Sequence, residues 1–329
     1  MKYFLVGTVF LFGVIGVMGW LKRESKPVSE EMVIQEIALP AAPVAPPTPN
    51  LIVRADPPVV RAEKGVVAAT QDFPEVDRIH QLFALDSSKL PIVETVSYTS
   101  RVPWLKDRPA WIADYASHYA TSRHFIARSL NRKADYFSQK ISPGDRFNVF
   151  KKDKNLSFHL LIDLSRCRMW FYYVDLDANE RVLLKTYRVG LGRLDPQKAS
   201  GYLTPVGKYQ LGEKVAIYKP GTTGFFQDQK IEMIRVFGTR WIPFEKELDG
   251  CTESAKGLGL HGAPWMMDSA NQLIEDQSKI GKYESDGCVR LLSNDIEEIF
   301  SVIITKPTTI ELVKDYHDAK LPGQERIAQ

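Results

Sequence analysis

The sequence has few cysteines and little net charge. Its 329 residues include three cysteines, and the formal net charge at pH 7 is +3. A charge this small, without a stripe of basic residues, does not favour nucleic acid as a partner. The chain also lacks a glycine-rich phosphate loop and the closely spaced cysteine pairs of zinc sites. With 44% hydrophobic and 25% charged residues, the composition is that of an ordinary globular protein.

The three cysteines are far apart in the sequence, at Cys167, Cys251 and Cys288. In an oxidising compartment Cys167 and Cys251 could form a disulfide, but two reduced thiols are an equal alternative, and the sequence does not decide between them. Cys288 has to stay free if it acts as a nucleophile.

Two short segments carry the chemistry that the sequence suggests. Residues 285–290 read Ser-Asp-Gly-Cys-Val-Arg, and residues 259–262 read Gly-Leu-His-Gly. A thiol has an ordinary pKa of about 8.5, so a nucleophilic Cys288 needs a base such as His261 within hydrogen-bond reach. Gly287 permits a tight turn whose N–H groups face a developing oxyanion. The alternative is a buried structural cysteine after a glycine turn, and for His261 a core histidine whose hydrogen bonds are satisfied.

These segments resemble the signature of the YkuD-type L,D-transpeptidases, a His-Gly-Thr-like segment followed by Ser-His-Gly-Cys-(Ile/Val)-Arg. The resemblance implies that Cys288 is the nucleophile and His261 the base. It implies that the Gly262 carbonyl orients the imidazole and that Arg290 braces the loop or meets a substrate carboxylate. The remaining positions of the motif, with supporting or oxyanion-binding roles, are Ser285, Asp286 and Gly287.

The sequence departs from the family pattern at three places. Ala263 replaces the usual threonine, Asp286 replaces a second, non-catalytic histidine, and the loop 263–284 is longer than usual. None of these changes removes the nucleophile or the base. A Thr-Pro-x-Gly step at 204–207 is also similar to the family, so the resemblance extends over about residues 158–314.

The resemblance implies acyl transfer on a peptidoglycan tetrapeptide stem through a cysteine thioester, with release of D-alanine and formation of a cross-link to a second stem. It implies no metal or organic cofactor. Two alternatives stay open: an L,D-carboxypeptidase that hydrolyses the same bond, and a non-catalytic peptidoglycan-binding protein.

The N-terminus predicts a membrane anchor followed by a linker. Residues 3–21 are almost wholly apolar and long enough to cross a hydrocarbon core of ~30 Å. Residues 18–21 make a poor signal-peptidase site, so we predict an uncleaved transmembrane helix within residues 1–25. Residues 26–71 are rich in proline and alanine and are typical of a semi-extended linker.

Two arguments about the orientation of this anchor conflict. Lys22, Arg23 and Lys26 outnumber Lys2 and the terminal amine, which favours a cytoplasmic catalytic part. A cell-wall substrate lies outside the cytoplasm, and we give this argument more weight because the charge difference is small. The expectation is a single-pass protein of the bacterial inner membrane, with its catalytic domain in the periplasm or cell-wall space.

Residues 72–152 predict a small α+β module. A strand at 92–99, two helices and a strand near 147–150 resemble a LysM module, which binds peptidoglycan glycan strands. Thr121 is the expected N-cap of the second helix. The aromatic residues of this module are more typical of a core than of a sugar-binding surface; they are Trp104, Trp111, Tyr115 and Tyr119.

Residues 153–314 predict a mostly β catalytic domain, a YkuD-like β-sandwich with a few helices. Apolar and alternating runs predict its strands, at 160–164, 169–174, 182–189, 208–215, 233–238, 258–261 and 309–313. Asp268 is expected to cap a lid helix in the long loop, and Asn294 a later helix. Residues 315–329 form a polar tail that is expected to fray.

Overall fold

The computed structural model describes residues 73–131 and 140–326. The predicted anchor at 1–25 and the linker at 26–71 lie outside these ranges. Among the described helices, none has both the length and the apolar character needed to cross a membrane.

Strand predominates over helix in the described residues, as expected for residues 153–314, and these residues contain four α-helices. The strands are β1 Val93–Ser97, β2 Arg146–Phe150, β3 Leu156–Asp163, β4 Arg168–Asp175, β5 Glu180–Arg188, β6 Leu191–Gly192, β7 Gly207–Leu211, β8 Ala216–Ile217, β9 Thr223–Phe226, β10 Gln229–Glu232, β11 Arg240–Asp249, β12 Gly259–Gly262, β13 Trp265–Met267, β14 Leu273–Glu275, β15 Tyr283–Ser285, β16 Val289–Leu291, β17 Thr308–Val313 and β18 Gln324–Glu325. The helices are α1 Ile112–His118, α2 Arg123–Asn131, α3 Ile234–Phe237 and α4 Ser293–Ile303.

One mixed sheet organises the domain. Its strand order is β16-β12-β11-β7-β17-β3-β4-β5-β18, and β8 pairs with β11 beside this path. Most neighbours are antiparallel, whereas three pairs are parallel: β17 with β3, β12 with β16, and β18 with β5. The two strands that carry the candidate site, β12 and β16, therefore form one end of the sheet.

The middle strands are apolar on both faces. Alternation sends Leu160 and Phe171 to the main core and their neighbours Leu161 and Trp170 to a second cluster on the opposite face. Burial on both sides explains why β3 and β4 read as continuous hydrophobic runs.

The two ends of the sheet face the same core. Leu160 of β3 and Leu184 of β5 belong to one hydrophobic cluster with Leu260 of β12 and Val289 of β16. A flat sheet of this width does not bring these residues together, so the sheet curls around the cluster. The two layers expected of a β-sandwich are therefore two parts of one continuous sheet that curls around the core.

The N-terminal part has the expected order of strand, helix, helix, strand. Strands β1 and β2 pair antiparallel, with Val93 opposite Phe150. The strand order alone does not identify a LysM module, so that assignment and the boundary at 152/153 stay predictions. Val93 and Phe150 also join the main hydrophobic core against which the large sheet packs.

The cap of α2 differs from the prediction. The Ser122 hydroxyl accepts a hydrogen bond from the Phe125 N–H at 2.9 Å, which is the N-cap interaction. Thr121 instead accepts from the Phe150 N–H and donates to the Tyr119 carbonyl. Its hydroxyl ties the helix entry to β2, and the prediction of a Thr121 cap was wrong by one residue.

The long loop holds a hairpin where a helix was predicted. Strands β13 and β14 pair antiparallel, and only a short 3-10 helix, Gln277–Lys279, follows in this segment. Asp268 accepts from the N–H groups of Ala270 and Gln272 at 2.9 and 2.8 Å. These bonds close a turn between the strands, so the residue that was expected to start a helix forms the hairpin connection instead.

Three further expectations were wrong. Residues 233–238 were predicted as a strand but contain helix α3. Helix α4 begins at Ser293, with no side-chain cap from Asn294. The tail does not fray over its described part, because Tyr316 packs in the second cluster and Gln324–Glu325 pairs in parallel with β5.

The hairpin β13–β14 is fixed to the N-terminus of α4. Glu275 accepts from the Ser293 N–H at 2.5 Å, and the Trp265 indole N–H donates to the Ser293 hydroxyl at 3.2 Å. A carboxylate at this position satisfies a free N–H and complements the helix dipole. Glu275 therefore does the capping that the sequence assigned to Asn294.

We expect Glu275→Ala to lower the free energy of unfolding by about 1–2 kcal/mol, the usual cost of a lost N-cap. Chemical denaturation followed by circular dichroism measures this. Glu245→Ala is the matched control, since Glu245 is exposed on β11. Equal stability of the two variants would contradict the capping role.

Candidate active site

The site is built on a row of side chains across three strands. Trp241 of β11 is opposite His261 of β12, which is opposite Arg290 of β16. The adjacent row contains Leu260 and Val289, both fully buried in the core. Because successive side chains alternate between faces, His261 and Arg290 lie on the face away from this core.

Cys288 lies two residues before Arg290, so the same alternation places it on the side of His261. Its sulfur packs against an apolar cluster that includes Phe237 and Trp241. The His261 ring lies 5.4 Å from the Phe237 ring and 5.9 Å from the Trp241 ring, measured between centroids. The fold thus brings the two predicted catalytic residues to one aromatic wall.

The hydrogen bond of His261 defines its tautomer. Its Nδ1 lies 2.8 Å from the carbonyl oxygen of Gly262. A carbonyl only accepts, so Nδ1 carries the proton and Nε2 is left with its lone pair. This is the orientation that the resemblance assigned to Gly262, and it equips Nε2 to accept a proton.

The environment holds both candidate groups neutral. Burial, helped by the charge of Arg290, lowers the pKa of His261 to about 3, while the bond to Gly262 opposes this shift. Burial and the Asp286 charge raise the pKa of Cys288 to about 11. A backbone hydrogen bond and the charge of Arg290 lower this pKa but do not offset the rise. At pH 7 the resting pair is thiol and imidazole. Cys288 as a residue is half-buried.

The turn before β16 is closed by Ser285. Its hydroxyl donates to the Cys288 carbonyl at 2.6 Å and accepts from the Gly287 N–H at 3.2 Å. Gly287 has a φ of +119°, and a Cβ there would lie 3.0 Å from the Leu203 carbonyl oxygen. Glycine is required for both reasons. The Gly287 N–H, expected to face an oxyanion, is directed at Ser285.

Thr204 is a residue of the site whose role the sequence did not reveal. Its hydroxyl accepts from the Gly192 N–H at 2.7 Å and donates to the Gly287 carbonyl at 3.0 Å. The Thr-Pro-x-Gly step marked this segment as similar to the family. No local pattern connects it to a turn that lies 83 residues further along the chain.

Arg290 brings a partly buried positive charge to the site. Its backbone N–H and carbonyl both bond to Gly190 at 2.8 Å, which holds β16 from the side opposite β12. Its side-chain Nε is buried and has no hydrogen-bond partner among the described residues. Burial lowers the pKa of Arg290.

Asp286 faces away from the imidazole. Its carboxylate pairs with Arg193 at 2.5 Å, and both side chains are largely exposed. The Nδ1 of His261 is already bound to Gly262. Asp286 therefore does not take the orienting role of a triad acid.

The remaining observations concern the pairing of the cysteines and metal-binding side chains. All three cysteines are free, so the alternative of two unpaired thiols at Cys167 and Cys251 is the one observed. Over residues 73–131 and 140–326, no group of three or more His, Cys, Asp or Glu side chains is arranged to hold a metal ion.

Residues 157–312 match the family model of the L,D-transpeptidase catalytic domain, YkuD. The chain carries a YkuD-type catalytic domain. The matched region includes both His261 and Cys288, so the residues brought together at the end of the sheet belong to it.

Two solved structures are similar to the chain. One is Bd1075 of Bdellovibrio bacteriovorus, at 17% identity, with 48% of each chain covered and a TM-score of 0.33. The other is the helical cell shape determining protein Pgp2 of Campylobacter jejuni, at 18% identity, with 52% of this chain and 54% of that chain covered and a TM-score of 0.33. The match spans about half the length of these proteins. No curated protein matches the chain.

The neutral resting pair predicts a particular pH profile. We expect alkylation of Cys288 by iodoacetamide to be slow at pH 7 and to rise continuously toward pH 10, because the thiolate fraction grows as pH approaches a pKa of about 11. Mass spectrometry of the full-length chain measures the rate of alkylation. The same measurement on Cys288→Ser gives the background labelling of Cys167 and Cys251. A plateau reached below pH 7 would instead indicate a preformed thiolate–imidazolium pair.

The position of Asp286 predicts a mild phenotype. We expect Asp286→Ala to retain at least about a tenth of the wild-type turnover, since it removes an exposed ion pair of little energetic value. His261→Ala removes the candidate base and should lower turnover about a hundredfold or more. Turnover assays compare both variants with Arg193→Ala, which breaks the same ion pair. A folded but inactive Asp286→Ala, together with an active Arg193→Ala, would overturn this assignment.

Proposed function

We propose that the protein is a cysteine-dependent L,D-transpeptidase that cross-links peptidoglycan stem peptides. One observation carries the proposal: within a YkuD-type domain, His261 and Cys288 both lie against the aromatic side chains of Phe237 and Trp241. A nucleophile beside an oriented base is the arrangement that acyl transfer requires.

The proposed acylation begins with Cys288 Sγ attacking the carbonyl carbon before the terminal D-alanine. The thiol proton moves to His261 Nε2 as the S–C bond forms, since the resting groups are neutral. The imidazolium then protonates the leaving nitrogen, the C–N bond breaks, and D-alanine departs. The product is a thioester on Cys288, which the side-chain amine of a second stem resolves.

The oxyanion of this step needs backbone donors. The Gly287 N–H is bonded to Ser285. We therefore assign the role of oxyanion donor to the Cys288 N–H, which belongs to the next peptide unit. A well-directed donor of this kind contributes about 3 kcal/mol to the transition state. Ser285 and Gly287 then act by shaping the turn.

Arg290 is the proposed partner of a substrate carboxylate. Its Nε is buried without a partner, and its charge influences both Cys288 and His261. A partly desolvated guanidinium binds a carboxylate more strongly than an exposed one does. The carboxylate of the departing D-alanine fits this requirement.

The hairpin β13–β14 favours transfer over hydrolysis. Strand β13 packs near helix α3, which supplies Phe237 to the wall beside Cys288. The hairpin exposes large apolar side chains, at Met266, Met267 and Ile274. An apolar rim limits access of water to the thioester and leaves an acceptor amine to be positioned. Effective molarities for positioned groups reach about 10⁵ M, against ~55 M for water.

The wider context of this activity is also proposed. An anchor within residues 1–25 would hold the domain outside the cytoplasm, where peptidoglycan lies. The module before residue 153 would bind glycan strands. What supports glycan binding is Trp111, which is 64% exposed, and the stack of Trp104 on His118 at 4.2 Å.

The test is incubation of the full-length protein with purified disaccharide tetrapeptide. We expect intact-protein mass spectrometry to detect a tripeptidyl thioester, and chromatography to detect cross-linked dimers together with released D-alanine. Cys288→Ser should abolish both, and His261→Ala should reduce both at least about a hundredfold. Cys167→Ser is the control and should react like the wild type, because Cys167 is buried in the main hydrophobic core.

The products separate the competing functions. Tripeptide without dimers at high acceptor concentration would mean a carboxypeptidase. A wild-type protein that forms no thioester would mean a binding protein without this chemistry. Full activity in Cys288→Ser would move the nucleophile elsewhere.

A further inference from the structure

Thr204 is a buried hydroxyl that connects two segments of the chain to each other. It accepts from the Gly192 N–H at 2.7 Å and donates to the Gly287 carbonyl at 3.0 Å, and 0% of its surface is exposed. A hydroxyl has one proton, so the bond received from Gly192 leaves that proton for Gly287. The directions of both hydrogen bonds are therefore determined.

The Gly287 carbonyl shares a peptide unit with the Cys288 N–H. In a trans peptide the C=O and N–H bonds point in opposite directions. By holding the carbonyl on one side, Thr204 sets the direction of the Cys288 N–H on the other. Gly287 lacks a Cβ and sits at a φ of +119°, where rotation of the following peptide meets little steric resistance.

The peptide units on either side are held by a different residue. Ser285 accepts from the Gly287 N–H, which belongs to the preceding unit, and donates to the Cys288 carbonyl, which belongs to the following one. Ser285 makes no bond to the unit between them. Thr204 is therefore the side chain that holds the one peptide whose N–H is assigned to the oxyanion.

We propose that Thr204 is a positioning residue that keeps the Cys288 N–H aimed at the oxyanion formed during acylation. The inference rests on the proposed function, because it requires acyl transfer at Cys288. A donor that is already oriented stabilises the oxyanion without reorganisation during the reaction. Loss of the hydroxyl should therefore slow acylation and leave the thiol itself unchanged.

Two small reagents separate these effects in the full-length protein. With 4-nitrophenyl acetate, the Cys288 S–C bond forms through a tetrahedral oxyanion, His261 takes the thiol proton, and 4-nitrophenolate leaves. With iodoacetamide, the S–C bond forms as iodide leaves and the thiol proton is lost, with no oxyanion at any stage. The ratio of the two rates reports the oxyanion donor alone.

Three variants make the comparison. Thr204→Val removes the hydroxyl at nearly constant volume and should lower ester acylation about 10- to 100-fold, with unchanged alkylation. Thr204→Ser keeps the hydroxyl and should restore acylation. Thr308→Val removes a buried hydroxyl on β17 that donates to the Lys306 carbonyl, and should alter neither rate. With tetrapeptide as substrate, Thr204→Val should lower kcat and leave KM unchanged.

Several outcomes overturn the inference. Equal losses with both reagents would show that Thr204 only supports the fold or the thiol, and unchanged acylation would show that the hydroxyl has no role. Circular dichroism checks folding, and Thr204→Ala replaces Thr204→Val if the latter does not fold. If the wild type reacts with the ester but not with tetrapeptide, the proposed function fails while the result for Thr204 stands.

Discussion

The parallel pairing of β12 with β16 is the constraint on which the site depends. It fixes the register that puts His261 beside Arg290 and sends Leu260 and Val289 into the core. A slip of one residue would exchange these faces, bury the guanidinium and expose the leucine. Burial of apolar side chains therefore fixes the register. The candidate site lies on the opposite face of the same two strands.

The same burial sets the resting state of the candidate pair. The aromatic wall around Cys288 and His261 disfavours both charged forms, so the site stores a neutral thiol and a neutral imidazole. In the proposed reaction, charge develops during attack, and the proposed backbone donor at Cys288 and the cation of Arg290 would stabilise it. This arrangement makes the geometry of the turn 285–288 more important than the intrinsic acidity of the thiol.

Features that depend on residues close together in the sequence were mostly predicted, whereas contacts between residues far apart in the sequence were not. Most strands of the sheet followed from local patterns. The roles of His261, Gly262 and Cys288 came from the resemblance to a family, and of these the structure shows the contact between His261 Nδ1 and the Gly262 carbonyl. The hairpin at 265–275 was mistaken for a helix because Asp268 suits a cap and a turn equally. Helix α3 was mistaken for a strand because four apolar-rich residues fit either period.

The least predictable residue of the site is Thr204, which holds the backbone of the cysteine turn together with Ser285. Thr204 and Ser285 reach the cysteine turn from different distances along the chain, one 83 residues away and the other three. A hydroxyl that binds a backbone carbonyl leaves no periodicity in the sequence, since any turn-forming threonine looks the same. The direction of one peptide bond thus depends on how β6, the segment around Thr204 and the cysteine turn meet, which is a property of the folded sheet.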